Sequence, residues 1–338
     1  MVLHIAAISQ KDTVWICPEN KPQYITIVEN NTAAAKYIAQ TGVNEYKNLL
    51  VKQSSTGMAF QGVYKPGYEY DLTLENVTVL GGNNAVWSSM GGSPQHTNVF
   101  KISNCVFNTG LNCIAIFGPD NPYKRVEISN TKLFAHVSHA MYIHDNIPVK
   151  MYNVFVDSST VGVNSPTALA LSHYSSNGVP GSGKTVNYYT RCVSGKNAGR
   201  WRMSGVNYLD SCDLTFYDAY DSSNVIYAKN SKLAGTARGE FTNCQFTDIT
   251  LIGSSNVTNS TIKQLMLNGG EYVFTGCKID QILGYINGKG KPFKATFINC
   301  ILSKIALCPP GSVVDLFNTN KPLPTWPNTP LPLIKTNN

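Results

Sequence analysis

The chain has 338 residues, 43% hydrophobic and only 14% charged, and its net charge of +7 comes from 27 Lys and Arg against 20 Asp and Glu. That apolar fraction is enough for a sizeable core and excludes a disordered chain. The basic residues are scattered singly, which argues against a nucleic-acid partner, and no run nears the roughly 18 apolar residues of a membrane helix, which argues against insertion in a bilayer.

The chain opens MVLHIAAIS, with no basic n-region and too short an apolar run for a signal peptide, so synthesis in the cytoplasm without a classical export signal is expected. The first element is TAAAKYIAQTG at 32–42, begun by a threonine and closed by a glycine, which predicts a short helix. Residues 1–44 are expected to form a cap or attachment segment, with this helix covering the open edge of the domain that begins at residue 45.

From residue 45 a short pattern recurs: LENVTV at 74–79, ISNCVF at 102–107, ISNTKL at 128–133, MYNVFV at 151–156, LDSCDL at 209–214 and AKNSKL at 228–233. It continues as FTNCQF at 241–246, VTNSTI at 257–262, FTGCKI at 274–279 and FINCIL at 297–302. Apolar residues two apart mark strands, and Asn or Gly in the third place accepts a left-handed turn. One such unit cannot bury its own inner face, so copies must stack with like residues in ladders. The expected fold is all-β: a single-stranded parallel β-helix over residues 45–308, with an asparagine turn ladder along one edge.

The same pattern accounts for most of the nine cysteines. Cys105, Cys192, Cys212, Cys244, Cys277 and Cys300 follow the turn position, where other copies have Val77, Thr131, Val154, Ser231 or Ser260. A place shared by Cys, Val, Thr and Ser predicts a small packing slot filled by reduced thiols. An odd count without C-x-x-C opposes a disulfide framework or a zinc site.

Within the repeats, GVPGSGKT at 178–185 spells out a phosphate-binding loop. That motif works only where a helix starts at the lysine and aims its N–H groups and dipole at the phosphate. Here VNYYTRC comes next, β-branched and aromatic, which predicts a strand and therefore an ordinary loop expansion rather than a nucleotide site. Further on, Asp210, Asp213, Asp218 and Asp221 form an acidic cluster. Converging carboxylates could hydrolyse a glycosidic bond, but aspartates beside serines more commonly serve turns and caps. After Cys308 a proline-rich segment, KPLPTWPNTPLP at 321–332, predicts an extended tail over 309–338.

Function would sit on an outward strand face. If Ile116, Ile143, Leu171 and Met203 point inward, Ala115, Tyr142, Ala170 and Arg202 form an outward column. His144, Asp145 and Arg202 are then the candidate catalytic residues: the first two to move a proton, the arginine to clamp a carboxylate. Tyr142, His173 and Arg200 are candidate sugar contacts. No metal or cofactor is implied.

The ISNC, FTNC and FINC ladders resemble the right-handed parallel β-helices of the pectin-lyase-like superfamily. No W-x-D-H string or clustered Asp-Asp pair is present, so that superfamily's enzymatic roles transfer to no residue here. Within it the chain is closest in character to phage tailspikes and virion fibres, although the N-x-x-D-F-G-A opening of many spikes is missing. The resemblance implies a homotrimer on a virion or extracellular surface that recognises, and in some members cleaves, cell-surface polysaccharide. The alternatives are a free polysaccharide lyase, hydrolase or epimerase, and a purely structural assembly component.

Overall fold

The computed structural model describes residues 26–54, 56–62, 69–89, 97–117, 124–144, 147–157, 169–173, 185–216, 224–284, 290–325 and 330–337. Among them every strand pairing is parallel, and the strands fall into one 24-stranded sheet and one 7-stranded sheet. The chain is a β-solenoid. On the long sheet the chain runs on either side of a left-handed turn residue, as two strands such as Asn98–Ser103 and Val106–Thr109 or as one strand such as Lys124–Ala135. In the coils up to residue 202 a further strand follows in the short sheet, such as Asn112–Phe117.

The turn residues explain the recurring asparagines. Asn48, Asn76, Asn104, Asn130, Asn153, Asn230, Asn243, Asn259, Asn299 and Asn318 all have φ between 46 and 56°. This left-handed region is penalised by about 1–2 kcal/mol for most side chains and is tolerated by Asn. Their amides also bond along the edge, with Asn153 donating to Asn130 at 3.0 Å and Asn318 to Asn299 at 2.7 Å. Gly276 meets the same demand without a side chain, whereas Arg191 and Ser211 occupy the position despite its cost.

Behind this edge runs a continuous core column. Leu74, Ile102, Ile128, Met151, Tyr189, Leu209, Ala228, Phe241, Val257, Phe274, Phe297 and Leu316 are in register from coil to coil and at most 5% exposed. Each large member contributes roughly 1.5–3 kcal/mol by leaving water.

The cysteine slot is more polar than expected. Its occupant donates to the carbonyl two residues back whether it is Thr131 (2.7 Å), Ser231 (2.8 Å), Ser260 (2.8 Å) or Cys300 (3.3 Å). In several coils it also accepts the slot amide of the preceding coil: Cys212 N–H donates to Ser231 Oγ at 3.0 Å and Cys277 N–H to Cys300 Sγ at 3.4 Å. Thiol and hydroxyl interchange here because both donate and accept. The eight described cysteines are buried and free, and burial pushes the thiols of Cys105, Cys113 and Cys308 up to about 12.

The expected helix at 32–42 is a strand instead. Ala35–Ile38 pairs in parallel with Met58–Gly62, and Tyr37 packs its ring against Tyr46 and Phe60 at 4.7 and 5.1 Å. An isolated helix of ten residues is marginal in water, so a ready sheet edge and an aromatic pocket override the local propensity. Asn30 closes the preceding turn by donating to Ala34 O at 2.9 Å. The ladder also runs past both ends of the expected 45–308 span. Thr26–Asn30 pairs with Gly42–Gln53 at one end, and Leu333–Asn337 pairs with Val313–Phe317 at the other.

GVPGSGKT lies outside the described residues except for Thr185. Its flanks are Leu169–His173 and Val186–Thr190, so a strand follows it, as the β-branched sequence predicts.

Candidate functional site

The outer face of the short sheet carries the candidate residues. Register places Gln61, Trp87, Ala115, Tyr142, Ser172 and Arg202 in one outward column. Ala170 does not take part. Tyr142 pairs with Ser172, and a register shift between Leu169 and Leu171 brings Arg202 opposite Ser172. The sequence alignment of the inward aliphatics could not see this irregularity, although Ile116, Ile143, Leu171 and Met203 are all buried.

Small residues in the column make room for large ones. Ala115 is fully buried between the rungs of Trp87 and Tyr142, and Phe117, two residues along, contacts both rings. Ring centroids are 4.7 Å apart for Trp87–Phe117 and 5.1 Å for Phe117–Tyr142, with planes tilted 50° and 39°. His139 extends the row, 5.7 Å from Tyr142. The result is an aromatic strip three coils long, partly exposed, with Trp87 at 37%. Arg202 follows in the same column, half-buried, and Arg200 lies exposed beside it across the inward Trp201.

Titratable groups around the strip are held neutral or screened. Burial, with the nearby Arg202 charge, lowers the His139 pKa. Its Nδ1 lies 3.2 Å from Ser138 Oγ, and its backbone N–H donates to Asn112 Oδ1 at 3.2 Å. His136 is likewise lowered by burial and its Nε2 lies 2.7 Å from Asn108 Oδ1.

The other expected site residues divide. Tyr142, Arg202 and Arg200 share the outward face. His144 and His173 do not reach it: they are 6% and 1% exposed, and His173 Nε2 lies 3.0 Å from Ile147 O. Burial lowers the His173 pKa to about 4, so the ring is a neutral core group at neutral pH. Asp145 lies outside the described residues. Of the acidic cluster, Asp210 and Asp213 face Lys229 and Lys232 across neighbouring coils at 3.1 and 4.0 Å, and Asp218 and Asp221 are outside the described residues. Burial pushes the Asp210 carboxyl up, but hydrogen bonds from Lys229, Ser211 and Asn230 outweigh it and hold the group low. Among the described residues no group of three or more His, Cys, Asp or Glu is placed to hold a metal ion, and no helix is long and apolar enough to cross a membrane.

Trp87 is the site residue that sequence reasoning missed. Its signal is NAVWSS at 84–89, a short-sheet strand that follows the turn at Asn76 just as NCIAIF at 112–117 follows the turn at Asn104. Comparison with family models, with curated proteins and with solved structures finds no match to the chain.

Proposed function

We propose that this protein is a β-solenoid of virion-fibre character that binds a surface polysaccharide along the outer face of its short sheet. The observation that carries the reading is the strip Trp87–Phe117–Tyr142, leading to Arg202 and Arg200. Tilted, partly exposed rings give sugar rings an apolar surface, and their succession along successive coils suits an extended polymer rather than a compact ligand. The arginines at the far end suit a carboxylate-bearing sugar, which a guanidinium can clamp with two hydrogen bonds. Binding is favoured over cleavage because His144, one of the two groups expected to transfer a proton, is buried.

The test is binding of a panel of bacterial surface polysaccharides by calorimetry, run beside an assay for new reducing ends and unsaturated sugars. Saturable binding by the wild type that weakens at least tenfold in Trp87→Ala and in Arg202→Gln supports the reading. Binding untouched by either change refutes this face. New chain ends would turn the binder into an enzyme and revive the lyase or hydrolase alternative.

A further inference from the structure

The long sheet carries a second, unrelated surface. Three successive coils read VNY at 186–188, VNY at 206–208 and VIY at 225–227, and pair in exact order. The middle residue points in: Asn187 and Asn207 are fully buried and joined at 3.0 Å, with Asn207 donating in turn to Asn224 at 2.9 Å. Val and Tyr therefore point out. Val186 is 42% exposed, Tyr188 49% and Tyr208 42%, with Val206, Val225 and Tyr227 half-buried. The tyrosines stack with centroids 5.3 and 5.2 Å apart and planes within 14 and 18°.

The tyrosine column is charged at either end. One rung before Tyr188 stands Lys150, and one rung after Tyr227 stands Glu240, both exposed. An exposed apolar block three coils long, bounded by opposite charges, marks an interaction surface.

Its geometry selects the partner. The rings cover one another's faces and present edges and hydroxyls, so a sugar has no ring face to lie on, unlike the strip on the short sheet. What fits across a row of ring edges is another sheet with the same strand spacing of about 4.7–4.9 Å, packed face to face. We propose that the partner is a second copy of this chain, docked through the Val–Tyr block with the two solenoids antiparallel. A two-fold axis along the Tyr208 strand places Tyr208 against Tyr208, Tyr188 against Tyr227 and Val186 against Val225. It also sets Lys150 of each copy opposite Glu240 of the other, so the pair is self-complementary in shape and charge. A parallel arrangement would instead set Lys150 against Lys150 and Glu240 against Glu240.

Sedimentation equilibrium of the full chain tests this. The wild type is expected to interconvert between monomer and dimer with concentration. Tyr208→Lys, which puts two charges on the axis, should weaken association at least tenfold while the circular dichroism spectrum and melting temperature stay unchanged. Glu240→Lys should weaken it as well, and the double variant Lys150→Glu/Glu240→Lys should restore it. A wild type that stays monomeric, association indifferent to Tyr208→Lys, a three-chain mass, or a double variant no better than the single would each overturn the proposal.

Discussion

At His173 the fold trades protonation for packing. Its folded pKa of about 4 lies below the ordinary value of 6.5, so between those values the unfolded chain binds the proton more readily. The stability carried by the neutral buried ring is fully present above about pH 6.5 and is lost as pH falls toward 4. Thermal denaturation should show the wild type losing about 2 kcal/mol more than His173→Asn between pH 7 and pH 5. Equal losses would mean that the ring is not protected from protons. Cys300 makes a different demand, because its sulfur accepts the Cys277 amide and donates to Ile298 O. Cys300→Ser should therefore be nearly neutral, whereas Cys300→Val, closer to the thiol in apolar character, should cost about 1–3 kcal/mol by stranding the amide. A urea melt in which both variants match the wild type would show that the slot is only a matter of size.

At the scale of the element, what was legible in the sequence is what repeats within one strand and its turn. The I-S-N-C and F-T-N-C strings encode an inward apolar residue, a left-handed turn and a donor slot, and all three appear at residues 102–105 and 241–244. What depends on a neighbour's register was not legible. Tyr142 pairs with Ser172 rather than Ala170, and the shift between Leu169 and Leu171 in the next pairing sets Arg202 opposite the same serine. The strand at Ala35–Ile38 read as helix because its best partner, Met58–Gly62, lies more than twenty residues away. His144 and Tyr142 are two residues apart yet differ in exposure, since the strand Met141–Ile143 ends between them and alternation stops with it. The Val–Tyr block was fully visible as V-N-Y, V-N-Y and V-I-Y, but its meaning needed the pairing that stacks the three.

At the scale of the molecule the coils change size. Turn positions Asn48, Asn76 and Asn104 are 28 residues apart, whereas Asn230 and Asn243 are only 13 apart. The tightest coil closes on glycine: Gly239 has φ of 143°, and a Cβ there would lie 1.9 Å from Ile226 O. Because each coil touches only its neighbours, a weak coil interrupts the propagation of stability along the stack. Gly239→Ala should therefore separate the wide N-terminal coils from the narrow C-terminal ones. Hydrogen exchange during a urea titration would show the strands before residue 216 and those after 239 opening at different concentrations in the variant and together in the wild type. Coincident opening in both would show that the junction is no weak point.

The turn ladder has an evolutionary consequence. Since Asn243 and Asn259 hold equivalent places one turn apart, removing or duplicating the 16 residues between them leaves every inward and outward column in phase. Losing a single residue within a strand instead turns that strand's buried side chains toward water. Genes for such a chain can vary in length by whole coils at little structural risk, and the differing spacings from 13 to 38 residues show how much freedom the loops outside the ladder have already taken.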